Sequence, residues 1–407
     1  MSVAVRCQAN AGLVGKPRQM MTTIVRAGIL YDGTLEPPKR NVDLVITDGR
    51  IAEVRAAGGG GDGAGFSAAC VTPGLVNAHA HLEASGQPDL MGAIAVTTRN
   101  QRLLHAVENA RKSLAAGVTT IRDVGSSNAI AQDVRDAIDA GRIPGPRMRA
   151  AGAVLCMTGG HGWPMGRAVD SPWDARKAVR EQLWGGADCI KLIATGGVLT
   201  KGAVPGNAQL TPDELAAAVD EAHRHGLRVA AHAIGTLGIK NALRAGVDSI
   251  EHGSLLDDEA IALFKERGAY LVPTLTAPAC IVAHVEDGQL PQYVVDKARV
   301  LNEVMLANIR RAYESGVRIA GGSDSGTPYN YHENYAYEVE LMSSLLGMTP
   351  QQALHAATAV AAELIGLHRG VLAPGEPADL LLLDRDAGDD VRALREPKTV
   401  IKGGVTV

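Results

Sequence analysis

The stretch CVTPGLVNAHAHLE, residues 70–83, decides how the rest of this chain is interpreted. An apolar run, broken once by Pro73-Gly74, leads into two histidines, His79 and His81. Side chains alternate between the two faces of a β-strand, so residues i and i+2 project to the same side. His79 and His81 can therefore bind one metal ion. Because His-X-His alone is a weak signal, this prediction depends on further ligands at the ends of later strands.

Strand-like and helix-like segments alternate from about Pro73 to His368. Each predicted strand is followed by a segment of helical length. Eight such units predict an α/β fold, a (β/α)₈ TIM barrel with its site at the C-terminal ends of the strands. The strands predicted after the first are 118–124, 147–155, 189–194, 228–232, 248–252, 270–275 and 318–324.

Short strands separated by turns occur at both ends of the chain. The segments 24–31 and 42–54 lie before the barrel, and 378–384 and 399–407 lie after it. We expect these ends to pair into a small β-sandwich domain, residues 22–72 plus 369–407, around a barrel of residues 73–368. Residues 1–21 precede the first strand, and we expect them to be a poorly ordered N-terminal extension.

Composition excludes several classes of protein. The chain has 407 residues and a formal net charge of −4, without a basic run, so nucleic acid is not an expected partner. No apolar run reaches the ~18 residues of a membrane span. Aromatic residues make up only 3%, which predicts an aliphatic core. Five scattered cysteines without a CxxC pair indicate a reducing compartment, and we expect a cytoplasmic protein.

Side chains that can bind metal recur where the predicted strands end. A single histidine at a strand end is usually a hydrogen-bonded core residue. A whole set at equivalent positions around one barrel mouth instead predicts a metal centre. The set comprises His79, His81, Lys191, His232, His252 and Asp324.

Lys191 is the discriminating member of this set. It lies in the apolar run Cys-Ile-Lys-Leu-Ile, where a buried charge is costly and burial lowers the lysine pKa. A neutral amine can add carbon dioxide and become a carbamate, which can bridge two cations. Two alternatives stay open at this stage: the lysine could reach the rim of the barrel, or it could pair with a carboxylate.

Six motifs together resemble the metal-dependent amidohydrolase superfamily, over the chain from about Thr22 to Val407. The resemblance is to the branch that contains Xaa-Pro and Xaa-Arg dipeptidases, imidazolonepropionase-like proteins and ochratoxin-type amidases. The motifs are VTPGLVNAHAHLE (71–83), CIKLIATGG (189–197), VAAHAIG (229–235), SIEHG (249–253), GGSDSGTP (321–328) and PGEPADLLLLD (374–384).

The resemblance implies how the six ligands divide between two metal ions. His79, His81 and Asp324 would hold the more buried ion. His232 and His252 would hold the second, and carboxylated Lys191 would bridge both. Zinc is the usual metal of the family, and the nitrogen and oxygen ligands also tolerate manganese, cobalt or iron.

A binuclear centre of this kind predicts hydrolysis of an amide bond in a dipeptide or N-acyl amino acid. Two cations sharing a bridging water generate a hydroxide nucleophile. Asp324 would take its proton and pass it to the leaving nitrogen, although it could instead be a capping carboxylate in a Ser-Asp-Ser turn. The resemblance suggests that His161 stabilises the oxyanion, the alternative being an ordinary loop histidine.

The substrate is less well specified by the sequence. Tyr329, Tyr331 and His332 follow Asp324 in a tyrosine-rich segment, 327–338, which would line the mouth or form an oligomer contact. We expect a homo-oligomer. The candidate partners for a substrate carboxylate are Lys201, Lys240, Arg122 and the tyrosines of residues 329–337.

Several alternative functions remain at the sequence level. Ile234 is apolar where some relatives carry a polar residue, which weakens the case for a specific dipeptidase. A carbamate, urea, cyclic amide or lactone could be the substrate of the same centre. A mononuclear deaminase would bind one metal ion per chain rather than two. A non-catalytic scaffold would show no hydrolysis that a chelator abolishes.

Overall fold

The computed structural model describes residues 22–58, 64–367 and 369–407. The extension predicted for residues 1–21 lies outside this range. The strands are β1 (Thr22–Leu30), β2 (Lys39–Thr47), β3 (Arg50–Ala56), β4 (Ala64–Pro73), β5 (Leu75–Ala80), β6 (Val118–Asp123), β7 (Arg147–Ala150), β8 (Val154–Cys156), β9 (Gly166–Ala168), β10 (Cys189–Ile193), β11 (Arg228–Ala233), β12 (Ser249–His252), β13 (Tyr270–Val272), β14 (Arg318–Ile319), β15 (Leu380–Leu383), β16 (Thr399–Lys402) and β17 (Val405–Thr406).

The α-helices lie mainly between the strands of the central part of the chain. A π-helical segment, Ala356–Val360, joins the last two of them. The helices are α1 (Leu90–Val96), α2 (Arg99–Ala115), α3 (Ile130–Asp139), α4 (Pro172–Trp184), α5 (Pro212–Arg224), α6 (Thr236–Ala245), α7 (Asp258–Arg267), α8 (Thr276–Ala283), α9 (Gln292–Glu314), α10 (Tyr335–Leu346), α11 (Pro350–His355) and α12 (Ala361–Ile365).

The central strands run parallel in two sheets, ordered β5-β6-β7 and β9-β8-β10-β11-β12-β13-β14. β7 and β8 are two halves of the single strand predicted over 147–155, so this stretch takes part in both sheets. At the other edge, Ala78 N donates to Gly321 O at 3.0 Å, and Asp324 N donates to His79 O at 2.9 Å. The two sheets are joined on both sides, and the predicted (β/α)₈ barrel fold is confirmed.

The last barrel strand is shorter than the sequence predicts. Residues 318–324 were expected to be one strand, but only Arg318–Ile319 is regular. Asp324 has a φ of +58°, which turns the backbone out of the extended conformation. Gly321 O still accepts a hydrogen bond from Ala78 N of β5, and Asp324 N donates one to His79 O. Residues 320–324 therefore occupy the eighth strand position without regular strand geometry.

The core is aliphatic, as the composition predicts. Every residue of β5, β6 and β10 is buried, which is typical of parallel strands covered on both faces. Of the aromatic residues, only Tyr31, Phe264 and Tyr335 are buried in the described core between the barrel strands and the helices. Among the described helices, none combines the length and the apolar character needed to cross a membrane.

Strands from both chain ends form one sheet of seven strands, ordered β17-β16-β15-β4-β1-β2-β3. The sheet folds over on itself and brings its two ends together. There Ile51 N donates to Glu376 O at 3.0 Å, and Ala378 N donates to Gly49 O at 2.9 Å. Its two halves enclose one apolar core, which has the sandwich character predicted from the sequence. The core includes Val25, Leu44 and Ile51 from the first half and Leu380, Leu382 and Ile401 from the second.

The contact between the first and last barrel strands has room only for glycine at position 322. A Cβ on Gly322 would lie 2.5 Å from Val272 Cγ1 and 2.9 Å from His79 N. We expect Gly322→Ala to lower the free energy of unfolding by about 1–3 kcal/mol and to reduce bound metal, because β5 must shift. Chemical denaturation and metal analysis would measure both effects.

Gly185→Ala is the matched control, since Gly185 has a φ of −74° and its added Cβ would meet nothing closer than 3.4 Å. Equal stability and metal content in the two variants would contradict the prediction.

Candidate active site

A cavity opens at the C-terminal ends of the barrel strands, with about 970 Å³ of empty space including its mouth. The first two predicted ligands belong to one strand position, and each of the others comes from a different strand position. The structure therefore brings together all the predicted metal ligands, and the cavity lining includes His79, His81, Lys191, His232, His252 and Asp324.

Asp324 lies against the two histidines of the first strand. Its Oδ1 is 3.3 Å from Nε2 of His79 and 3.3 Å from Nε2 of His81. His81 Nδ1 donates to the Gly125 carbonyl at 2.8 Å, and His79 Nδ1 contacts Glu251 at 2.7 Å. With both Nδ1 atoms occupied, the two Nε2 atoms face the carboxylate.

These three side chains form an arrangement that attracts positive charge. Burial would lower the pKa of His81, but Asp324 raises it above its usual value. Burial would raise the pKa of Asp324, yet the two histidines hold it well below its usual range. Two Nε2 lone pairs and a carboxylate oxygen repel one another unless a proton or a metal cation lies between them. This donor set fits a divalent metal ion.

His232 and His252 are oriented by hydrogen bonds on their outer nitrogens. His232 Nε2 donates to the Gly196 carbonyl at 3.1 Å, which leaves its Nδ1 lone pair free. The Thr274 hydroxyl donates to Pro273 O, so it accepts from His252 Nδ1 at 2.7 Å and leaves Nε2 free. Burial lowers the pKa of His252 to about 3 and that of His232 well below its usual range. Both rings are neutral, as metal ligands must be.

Lys191 is buried at the centre of β10, with 2% of its surface exposed. Burial lowers its pKa to about 8, which increases the fraction of neutral amine at physiological pH. No carboxylate in the described part of the chain lies within salt-bridge distance of its Nζ. Neither alternative for this lysine, reaching the rim or pairing with an acid, matches the structure.

A buried ion pair between Arg122 and Glu251 lies behind His79. Glu251 contacts His79 through Oε2 and accepts from Arg122 Nη2 at 2.9 Å through Oε1. Arg122 also donates to Ala78 O at 2.7 Å, so it acts inside the barrel rather than on a substrate. Burial would raise the pKa of Glu251, but Arg122 and His79 hold it well below its usual range. The carboxylate therefore fixes the ring of His79.

His161 lines the cavity opposite the barrel ligands, with its ring centroid 4.4 Å from that of His232. Gly162 N donates to Thr200 Oγ1, and this hydroxyl can in turn donate to His161 Nδ1 at 2.9 Å. His161 then carries its proton on Nε2. Burial lowers its pKa to about 3, so the ring is a neutral hydrogen-bond donor. A Cβ on Gly197 would lie 2.3 Å from this Nε2, which explains the glycine there.

In the tyrosine-rich segment, Thr327 lines the cavity, whereas Tyr329, Tyr331 and His332 lie outside the lining. Tyr329 stacks on His284 with ring centroids 3.9 Å apart, and Tyr331 is exposed. His332 is buried and donates from Nε2 to Ala84 O at 2.8 Å. A contact of Tyr329, Tyr331 or His332 with substrate stays a prediction.

The other candidate cations are remote from the cavity lining. Lys201 is exposed, and Lys240 pairs with Asp257 at 3.0 Å and Glu259 at 2.8 Å. Lys191 is the one lysine or arginine among the described residues that line the cavity. Most of the remaining wall is apolar and is formed by Leu90, Met91, Val154, Met165, Ile193, Val198, Leu199, Ile234, Ala277, Pro278, Ile281, Ala298, Leu301 and Met305.

Several known proteins are similar to this chain over most of its length. Ochratoxinase from Aspergillus niger is 31% identical, with 99% of this chain and 90% of that protein aligned. Enamidase from Eubacterium barkeri is 25% identical, with 90% of this chain and 88% of that protein aligned.

Solved structures are similar in fold as well. A Xaa-Pro dipeptidase with methionine bound in its active site is 32% identical, with a TM-score of 0.88 over 95% of this chain and 100% of that one. The A. niger ochratoxinase structure is 30% identical, with a TM-score of 0.85 over 96% of each chain. Residues 70–407 match the amidohydrolase family, whose members include hydrolases of carbon–nitrogen bonds. The resemblance seen in the sequence is confirmed: the chain belongs to the amidohydrolase family.

Proposed function

We propose that this enzyme hydrolyses an amide bond in a dipeptide or N-acyl amino acid with the help of two divalent metal ions. The observation that carries the proposal is the gathering of four histidines, one buried lysine and one aspartate around a single cavity. Zinc fits this ligand set best. When bound, the cations would supply Lewis-acid activation of a water molecule and of the scissile carbonyl.

The ligands divide into two groups. His79, His81 and Asp324 would hold one ion, because their donor atoms already face one another. His232 and His252 would hold the second through the ring nitrogens that their hydrogen bonds leave free. Lys191, as a carbamate, would bridge the two sites. The lowered pKa of its amine supports this assignment, as does the absence, among the described residues, of a carboxylate within salt-bridge distance of it.

Two side chains would handle the proton and the developing negative charge. Asp324 can accept a proton from the attacking water on its carboxylate and return it to the leaving nitrogen. His161, neutral and protonated on Nε2, can donate a hydrogen bond to the carbonyl oxygen as it becomes negative. Neither role requires a change of tautomer during the reaction.

The similar proteins support an amide substrate. They include ochratoxinase, Xaa-Pro dipeptidase and a prolidase solved with n-methylphosphonate-l-proline, the last 29% identical with a TM-score of 0.87 over 95% of this chain and 99% of that one. Peptide-like amides are therefore the first class of substrate to test.

A second candidate function is favoured by the cavity wall. In the described lining, Lys191 is the one cationic side chain, and Ile234 is apolar. A free substrate carboxylate has no arginine or unengaged lysine there to pair with, whereas a neutral apolar group would be well accommodated. A carbamate, urea, cyclic amide or lactone would suit this wall.

Matched substrate pairs distinguish the two candidates. We would assay the zinc-loaded enzyme on N-acyl amino acids and on their methyl esters, on Xaa-Pro dipeptides, and on carbamates and phenylureas. Higher kcat/KM for the free acids supports the amino-acid amide, and higher kcat/KM for neutral compounds supports the second candidate. Failure of every compound, with and without chelator, would contradict both and indicate a non-catalytic scaffold.

Metal content tests the bridging lysine. We expect about two metal ions per chain in the wild type and one or fewer in Lys191→Arg, because a guanidinium cannot form the carbamate. A ¹³C-carbamate resonance after exposure to labelled bicarbonate should appear in the wild type and be absent from Lys191→Arg. Lys201→Arg, at an exposed position, is the matched control. One ion per chain in the wild type would instead favour a mononuclear deaminase.

Asp324→Asn tests the proton transfer. The amide keeps the size of the side chain and one oxygen, so we expect a folded protein that retains much of its metal. Its turnover should fall by roughly 10²–10⁴-fold, because the amide cannot take up the proton. Single-turnover rates of metal-loaded protein would measure this, with exposed Asp287→Asn as the control. Near-wild-type rates in a metal-loaded variant would rule out the role.

A further inference from the structure

We propose that the outer face of helix α4 is the contact between two copies of this chain, in an antiparallel, two-fold symmetric arrangement. Trp173 of one copy would pack against the partner's Trp184, and the reverse contact would form at the other end of the helix. The inference is independent of the proposed chemistry, since it depends only on the surface of α4.

The tryptophans of this chain are exposed to an unusual degree. The chain has only three, Trp163, Trp173 and Trp184, and they are 45%, 81% and 94% exposed. Tryptophan is on average a strongly buried residue, and exposed indoles are enriched in protein interfaces. Two of the three lie on α4, one in its first turn and one at its last residue.

Four of the five exposed residues of α4 form one straight stripe, and the fifth, Glu181, lies beside it. Trp173, Lys177, Arg180 and Trp184 follow one another at spacings that alternate between four and three residues, the spacing of a helix–helix seam. The opposite side of the helix carries buried Ala175, Ala178 and Val179, which pack on the protein core. The stripe therefore faces away from the protein along its whole length.

The stripe is self-complementary. The two indoles are separated by three helical turns, about 16 Å along the axis. If a second α4 lies antiparallel on the first, a two-fold axis passes midway along the helix and each indole meets the indole at the other end of the partner helix. Both copies then use the same surface of α4, and each indole has a partner. An interface formed by the same patch on both subunits is an isologous interface.

The charges between the two indoles do not oppose this pairing. Arg180 donates to Glu221 at 2.7 Å, and Lys177 lies 3.8 Å from Glu181, so each cation already has an acidic partner in its own chain. Their aliphatic stems can cover the indoles. The Lys177 ammonium can also lie over the face of the partner's Trp184, a favourable cation–π contact.

The area available is close to what a stable dimer needs. Four indoles at about 150–250 Å² each contribute roughly 600–1,000 Å². Specific interfaces begin at about 1,200 Å² in total, and the stems of Lys177 and Arg180 in both copies would supply the remainder. A second copy of this chain is thus a sufficient partner, with no other protein needed.

Charge substitutions at the two ends of α4 test the arrangement. Trp173→Glu and Trp184→Glu each place a negative charge against the negative face of an indole, so each variant alone should halve the assembly mass measured by sedimentation equilibrium. Trp163→Glu, at an exposed tryptophan outside α4, should leave the mass unchanged. Circular dichroism would verify that every variant is folded, which is expected for exposed positions.

The double variant Trp173→Lys/Trp184→Glu separates this arrangement from others. In the antiparallel pair each introduced lysine faces the partner's introduced glutamate, so the mass of the wild type should return and should fall again at high salt. If the single variants keep the wild-type mass, the face is not a contact between copies. If the double variant stays at half mass, the antiparallel arrangement is wrong.

Discussion

The pairing of the first barrel strand with residues 321–325 is the interaction on which the site depends. Asp324 N donates to His79 O, and His81 N donates to Ser325 O, both at 2.9 Å. These bonds hold a carboxylate against two histidines from the far end of the barrel sequence. Asp324 adopts a left-handed backbone to reach this position, a conformation that costs roughly 1–3 kcal/mol. Asn330 offsets that cost by donating to Asp324 O at 2.9 Å.

The surroundings of His79 and of Lys191 differ in whether the buried charge has a partner of opposite sign. Behind His79, the negative charge of Glu251 is matched by Arg122, so the ring is fixed without adding net charge to the cavity. Lys191 has no such partner. As an ammonium it would repel any cation bound beside it, whereas as a carbamate it would attract one. Burial shifts this lysine toward the neutral amine, the form that can add carbon dioxide, and cations bound beside it would then stabilise the negative charge of the carbamate.

The fold and the gathering of the six candidate ligands around one cavity could be predicted because both follow from simple periodicities. Alternating side chains place His79 and His81 on one face, and equivalent strand ends place His232 and His252 at one mouth. The positions of Tyr329, Tyr331 and His332 could not be predicted in the same way. Asp324 and Tyr329 both have positive φ, and beyond these two turns Tyr329, Tyr331 and His332 lie outside the cavity lining. Sequence spacing carries no information about such turns.

The role of Glu251 was missed for a related reason. It directly precedes His252 in a strand, so its side chain points to the opposite face, which the pattern alone would assign to ordinary packing. Only the three-dimensional register shows that this face meets His79 and Arg122.

Chemistry and specificity are supplied by different parts of this chain. The proposed metal ligands come from the barrel strand positions, whereas much of the apolar wall comes from helices outside them, such as Met91 of α1, Ile281 of α8 and Met305 of α9. Substitutions in these helices can alter which group fits without moving a ligand. A fold built this way can therefore keep one set of ligands while its members act on different carbonyl compounds, and we expect the wall of this cavity, more than the proposed ligands, to select the substrate.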